Sequence, residues 1–267
     1  MRYFAGCDVG STTGKAVVLD ENGKVLAYGI LPSTTDPEIT ASESLKQALA
    51  KMDIVYMIDG VPDIKDMARI VGTGYGRIEL SFAHDNISEI TCHAIGAHYL
   101  DPDIRTVVDI GGQDCKAMSL RDDGHVLDFV MNDKCAAGTG RFFEGIGRAF
   151  ALSLDEFSSL SLSSKDPVTI SNQCSVFAES EVISLISQRK PPADIAAGVQ
   201  KAVAKRIMSL VRRVGIVEKL TITGGCAKNI GLVTALEEGL GIKLATLTMD
   251  AQLVGALGAA VLAMKSN

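Results

Sequence analysis

Residues 7–26 (CDVGSTTGKAVVLDENGKVL) and 108–127 (VDIGGQDCKAMSLRDDGHVL) align without a gap at an offset of 101, with eight identical positions in twenty. Asp8 meets Asp109, Gly10 meets Gly111, Lys15 meets Lys116, Leu19 meets Leu120, Gly23 meets Gly124, and Val25-Leu26 meet Val126-Leu127. Each copy reads as an apolar strand, a glycine turn, a second strand, a polar turn ending in Gly, and a third strand. Identities in register across two turns and three strands point to duplication, since hairpins that share turn residues by chance need not stay in phase. Two homologous halves predict two similar domains that face one another.

The first turn of each copy is suited to chemistry. GSTTGK (10–15) offers backbone N–H groups, the hydroxyls of Ser11, Thr12 and Thr13, and Lys15, all free to point at an anion. Two such turns, one per domain, can clamp the phosphates of one nucleotide from both sides. Asp8 and Asp109 fall at the ends of buried first strands, where a carboxylate is costly unless it is paired or close to a cation. Mg²⁺ held by carboxylate, water and phosphate oxygen answers that cost. Simple service as turn residues is the alternative for either aspartate alone, and their matched positions weaken it.

Composition narrows the class. The 267 residues are 47% hydrophobic, enough for one large or two ordinary cores. A net charge of −6 with Lys and Arg scattered favours neither nucleic acid nor an anionic membrane surface as partner. MRYFAGCDVG reaches an aspartate too early for the apolar core of a signal peptide, and the apolar run 251–264 is short for a membrane span. A cytoplasmic protein is expected. The six cysteines (Cys7, Cys92, Cys115, Cys135, Cys174, Cys226) are dispersed without a CxxC, which suggests neither a disulfide scaffold nor a zinc ribbon.

Hydrophobic spacing predicts helices over about 38–53, 88–100 (opened by Ser88), 138–150, 175–188, 193–213, 227–239 and 251–264, with further strands at 68–76, 219–225 and near 242–246. That order points to an α/β architecture with a mixed sheet in each domain. TITGGCAKN (221–229) is a third strand-to-glycine turn before a helix, a candidate adenosine shelf with Gly224, Gly225, Ala227 and Asn229 in it. Cys7 and Cys115 read as core, Cys226 as a wall of the adenosine pocket, and Cys92, His93 and His98 as packing or interface residues, because adjacent or five-apart positions chelate poorly on a helix. NDKCAAGTGRF (132–142) leaves Cys135 open between core filler, nucleophile, redox thiol and metal ligand.

DVGSTTGK, DIGGQD and TGGCAKN, in this order, resemble the two phosphate motifs and the adenosine motif of the actin, heat-shock chaperone and sugar-kinase ATPase superfamily. Closer still, GTGYGR (72–77), ITCHAIGA (90–97), DIGGQDCK (109–116), NDKCAAGTGRF, CSVFAESEVISL (174–185) and TGGCAKNIG (223–231) resemble the ATP-dependent activators of (R)-2-hydroxyacyl-CoA dehydratases, grouped with benzoyl-CoA reductase ATPase subunits and the reductases of double-cubane cluster proteins. The resemblance implies a duplicated actin-like (ribonuclease H-like) fold, with domain I at 1–100 plus the C-terminal helix 250–267, domain II at 101–249 and a nucleotide cleft between them.

It further implies a homodimer holding one [4Fe–4S] cluster on Cys135 and Cys174 of each subunit, and ATP/ADP with Mg²⁺ oriented by Asp8 and Asp109. Phosphate would meet Gly10, Ser11, Thr12, Thr13 and Lys15 from one side, and Gly111, Gly112 and Gln113 from the other. Asp109 or Gln113 would position the attacking water, and Gly138 and Thr139 would hinge the cleft to the cluster helix. Ferredoxin or flavodoxin would be the electron donor, and an iron–sulfur dehydratase or a double-cubane cluster protein the acceptor. Both cysteines precede predicted helices, whose N-termini favour thiolate. A small-molecule kinase of the same fold, or a polymer or sensing scaffold, would have no need of Cys135 and Cys174.

Overall fold

In the computed structural model, which describes residues 2–56, 62–132, 139–170 and 175–266, the meander appears twice. The first copy is β1 (Tyr3–Val9), β2 (Thr13–Asp20) and β3 (Val25–Pro32), followed by α1 (Pro37–Tyr56), β4 (Arg69–Thr73), β5 (Asp85–Asn86) and α2 (Glu89–Leu100). The second copy is β6 (Thr106–Ile110), β7 (Cys115–Leu120) and β8 (Val126–Asn132). After it come α3 (Gly140–Phe150), α4 (Leu154–Ser161), α5 (Ser175–Ser187), α6 (Pro192–Val214), β9 (Leu220–Thr223), α7 (Ile230–Leu240) and α8 (Val254–Lys265). The sheets run β3-β2-β1-β4-β5 and β8-β7-β6-β9, so both place the strand from beyond the meander against its first strand.

The turns repeat bond for bond. Gly10 N–H donates to Thr13 O at 3.0 Å, as Gly111 N–H does to Asp114 O at 3.0 Å. Asp20 N–H donates to Lys24 O and Arg121 N–H to His125 O, closing turns whose glycines, Gly23 and Gly124, take φ of +84° and +80°. The φ > 0 demand is why both polar turns end in glycine.

Two compact units are present: Met1–Val107 with Leu120–Leu127 and Leu247–Asn267, and Val108–Ser119 with Asp128–Thr246. In the first, β2 sends Ala16 and Val18 toward Leu45, Leu49 and Met52 of α1, and Val17 and Leu19 toward Leu253, Leu257 and Val261 near and on α8. A sheet covered on both faces needs apolar residues at every position, so its strands do not alternate. Small residues set how closely the helices approach. A side chain at Gly6 would strike Ala256 and Ala260, and α2 crosses α8 where Gly96 and Gly258 meet the backbone of Val254 and Cys92. In the second unit, Phe142, Phe143, Ile146 and Phe157 pack with Ile195, Val199, Leu220 and Leu236.

Several elements differ from the sequence expectation, the short β5 among them. α4 was not foreseen, although Ser153 and Glu156 form a capping box at its start. The helix expected from 227 begins at Ile230, after a 3-10 turn over Gly225–Lys228. The strand near 242–246 reduces to one bridge, Thr221 to Ala245, and the closing helix starts three residues late, behind a 3-10 turn at Ala251–Leu253. Among the described residues no helix is long and apolar enough to cross a membrane.

Candidate functional site

Each meander delivers an aspartate and a lysine to the end of its first hairpin. Asp8 and Lys15 are cross-strand partners in β1 and β2, and Lys15 Nζ donates to Asp8 Oδ2 at 3.0 Å. Asp8 is 4% exposed, so the ion pair is what makes its burial tolerable. Ser11, Thr12 and Thr13 lie partly exposed in the turn. Its entry is fixed by the Ser33 hydroxyl, which donates to Gly10 O at 2.7 Å, and by Ser33 N–H, which donates to Thr12 O at 2.9 Å.

The second turn is the same device with an added carboxylate. Lys116 Nζ lies 3.3 Å from Asp109 Oδ2 and 2.8 Å from Asp114 Oδ2. Asp109 is also 4% exposed, and the Thr223 hydroxyl donates to its Oδ1 at 3.3 Å. Asp114 escaped the sequence reading because the duplication aligns it with Thr13, which carries no charge. Gln113 is exposed beside the partly exposed Gly111 and Gly112.

This turn is bonded to the helix that follows it. Gly140 N–H donates to Gly111 O and Arg141 N–H to Gly112 O, both at 2.9 Å, so the first turn of α3 satisfies its orphan donors on the glycine carbonyls. Thr139, the N-cap of α3, is fully buried. Cys135, Gly138 and Cys174 lie outside the described residues.

A third correspondence, at an offset of 150, brings Thr73-Gly74 after β4 into the role of Thr223-Gly224 after β9. Gly74 and Gly224 take φ of +85° and +83°. A side chain on Gly74 would strike Asp8 and stand 2.6 Å from Val9 O. One on Gly224 would stand 2.7 Å from Asp109 Oδ1 and 2.5 Å from Ile110 O. Both glycines exist so that a backbone can press against a buried aspartate. In the turn expected to hold adenosine, Gly225 is exposed and Ala227 packs against the core. Asn229 caps α7, its Oδ1 accepting from Leu232 N–H at 3.0 Å and the Ser158 hydroxyl at 2.8 Å.

Burial pushes the thiols of Cys7, Cys92 and Cys226 up to about 12, and that of Cys115 higher still. Near neutral pH these four are protonated core groups, Cys226 included, which is 7% exposed. Among the described residues no three His, Cys, Asp or Glu gather as a metal would need. His93, read from sequence as packing, is 4% exposed and stands close to Asp8. Its signal was the ITCHAIGA run, whose meaning depends on a helix crossing that spacing does not reveal.

The model of the BadF/BadG/BcrA/BcrD ATPase family matches residues 5–263. The chain belongs to this ATPase family. Among its relatives, the 2-hydroxyisocaproyl-CoA dehydratase activator of Clostridioides difficile is 41% identical over 98% of this chain and 94% of its own length. The (R)-2-hydroxyglutaryl-CoA dehydratase activating ATPase of Acidaminococcus fermentans is 42% identical over 98% and 97%. The crystal structure of that dehydratase's component A superposes with a TM-score of 0.92 at 40% identity, covering 100% of this chain and 99% of the other. A sugar kinase, the glucokinase of Streptomyces griseus, matches at a TM-score of 0.56 and 12% identity over 98% and 99%, which establishes the shared actin-like fold. Family and fold therefore agree with the two aspartate-lysine turns: this is an ATP-hydrolysing protein.

Proposed function

We propose that the chain is an activator that couples ATP hydrolysis to the delivery of single electrons to a partner iron–sulfur enzyme, a 2-hydroxyacyl-CoA dehydratase or a double-cubane cluster protein, with ferredoxin or flavodoxin as donor. The observation that carries this reading is the pair of bonds from Gly140 and Arg141 to Gly111 and Gly112. They tie the second phosphate turn to the helix that follows the Cys135 segment, so a change at the phosphates is felt where the cluster would be held. The family membership and the dehydratase-activator relatives support the same reading.

The domains are 1–100 with 250–267 and 101–249, and each carries one turn for the phosphates of ATP. Gly10, Ser11, Thr12 and Thr13 offer donors to phosphate, and Lys15 leaves Asp8 for a phosphate oxygen. Gly111, Gly112 and Gln113 act from the second turn, with Gly224, Gly225, Ala227 and Asn229 beneath the adenosine. Two buried carboxylates beside phosphate turns are the hard-oxygen donor set that Mg²⁺ requires. Asp8 and Asp109 would hold it through water, and it would neutralise charge on the transferred phosphoryl. Asp109, or Gln113 from its exposed position, orients the attacking water. Thr139 at the head of α3, with Gly138, passes the movement on.

Cys135 and Cys174 would supply two thiolates per subunit to a [4Fe–4S] cluster shared across a homodimer, where it holds the transferred electron. The burial of Cys7, Cys92, Cys115 and Cys226 in the core supports the reading, which rests on the family resemblance, that the ligand role belongs to Cys135 and Cys174. The test is anaerobic purification of Cys135→Ala and Cys174→Ala. Both are expected to lose iron and colour while binding ADP like the parent chain; retained iron in either refutes the ligand assignment.

A further inference from the structure

The two aspartates are not equally supported. Asp109 has at least two donors, Lys116 on Oδ2 and the Thr223 hydroxyl on Oδ1, each at 3.3 Å. Asp8 has Lys15 at 3.0 Å, but Thr73, which holds the place of Thr223 ahead of its own positive-φ glycine, does not serve it. The Thr73 hydroxyl is buried and turned to the Cys92 thiol, not to the carboxylate. Lys15 is also the group that must swing to a phosphate oxygen. When it does, a carboxylate 4% exposed loses its charge partner, which is strongly unfavourable unless another donor takes over.

His93 stands where that donor is needed. It lies on α2, is itself 4% exposed, and faces the first turn of α8 at Gly255. A side chain begun at Gly255 would stand 2.7 Å from His93 Nε2 and 3.1 Å from Asp8 Oδ2, so the imidazole nitrogen and the carboxylate oxygen approach one point that only glycine leaves open. We propose that His93 is a positioning residue of the ATPase site: its Nε2–H steadies the Asp8 carboxylate, directly or through one water, when Lys15 turns to the phosphate. In the second unit the Thr223 hydroxyl fills this role, so the inference restores to the first turn what duplication has altered there. It rests on the ATPase reading above.

The test compares parent, His93→Ala and His93→Gln in steady-state ATP hydrolysis, and in binding of a fluorescent ADP analogue to cluster-free protein with and without Mg²⁺. In His93→Ala, kcat should fall about 10- to 100-fold and the Mg²⁺-dependent gain in affinity should shrink by a similar factor, the range usual for outer-shell partners. Mg²⁺-free binding should stay at the parent value, and His93→Gln, which keeps an N–H donor, should recover most of both losses. Parent-like kcat in His93→Ala, or His93→Gln as damaged as His93→Ala, overturns the proposal. If His93→Ala does not fold, Gly255→Ala takes its place: it should be slow where His93→Gln is not, and a parent-like rate refutes the idea. A parent chain that neither binds nor hydrolyses ATP would instead refute the ATPase reading on which this stands.

Discussion

Gly140 donates its backbone N–H to the carbonyl of Gly111 at 2.9 Å, and so joins a phosphate turn to the head of a helix without a side chain between them. A link made of backbone cannot be relaxed by rotamer change. Any movement of Gly111 and Gly112 on nucleotide binding must be taken up by α3 or must break these bonds. Under the proposed function, the transmission between ATP and the segment containing Cys135 runs through these two peptide units.

Gly224→Ala tests the support under this turn. Its φ of +83° with ψ near 180° lies where essentially only glycine is found, and the new Cβ would press on Ile110 O and Asp109. The strain alone costs about 1–3 kcal/mol. Thermal unfolding should show a lower Tm, and fluorescence titration a weakened ADP affinity. Gly74→Ala should behave alike against Asp8, and two silent variants would contradict the paired roles given to these glycines.

Lys116→Met should be among the most destabilising single changes in the second unit. It leaves Asp109 and Asp114 facing each other without their cation, in a site where the lysine side chain is 3% exposed. Removing one partner of a buried ion pair costs about 3–5 kcal/mol. Adding Asp109→Asn should recover part of the loss in urea unfolding, while an additive double variant would mean that the pair is not coupled.

Thiol labelling separates the core cysteines from the two proposed ligands. Cys7, Cys92 and Cys226, held near 12 by burial, and Cys115, held higher, present almost no thiolate at pH ~8. Iodoacetamide on folded, cluster-free protein should therefore mark Cys135 and Cys174 alone, as read by peptide mass spectrometry. Labelling of Cys226 at a comparable rate would remove it from the core assignment.

Asp194 anchors the chain that leads toward Cys174. Its Oδ1 accepts from the Ser164 hydroxyl at 2.7 Å and from the N–H groups of Lys165 and Asp166 at 3.1 Å each, and these bonds, with the Ser164 hydroxyl foremost, hold its carboxyl below the usual range. A lowered native pKa adds stability above the unfolded value, and that stability is lost as pH falls through the native one. Between about pH 6 and 3 the parent should therefore lose more Tm than Asp194→Asn. Identical pH profiles would show the anchor to be inert.

How much of this was legible in advance follows from where the information lies. The meanders were readable because their identities stay in phase for twenty residues, and the turns because φ > 0 selects glycine. The correspondence of Thr73-Gly74 with Thr223-Gly224 was not, since two residues at a different offset leave no statistical trace. α4 was signalled only by Ser153 and Glu156 at its cap. Asn229, expected in the adenosine turn, also caps α7, a second use of the side chain that the sequence did not announce. His93 takes its meaning from Gly255, 162 positions away in sequence, and only the packing of α2 on α8 brings the two together.

The most direct test of the central claim is a redox titration of the anaerobically purified protein, followed by the spectroscopic signal of its cluster, with and without MgATP. Coupling through Gly111, Gly112 and α3 predicts a reducible [4Fe–4S] centre whose midpoint potential moves when MgATP binds. A potential unchanged by MgATP, or a preparation with no iron to titrate, would contradict it.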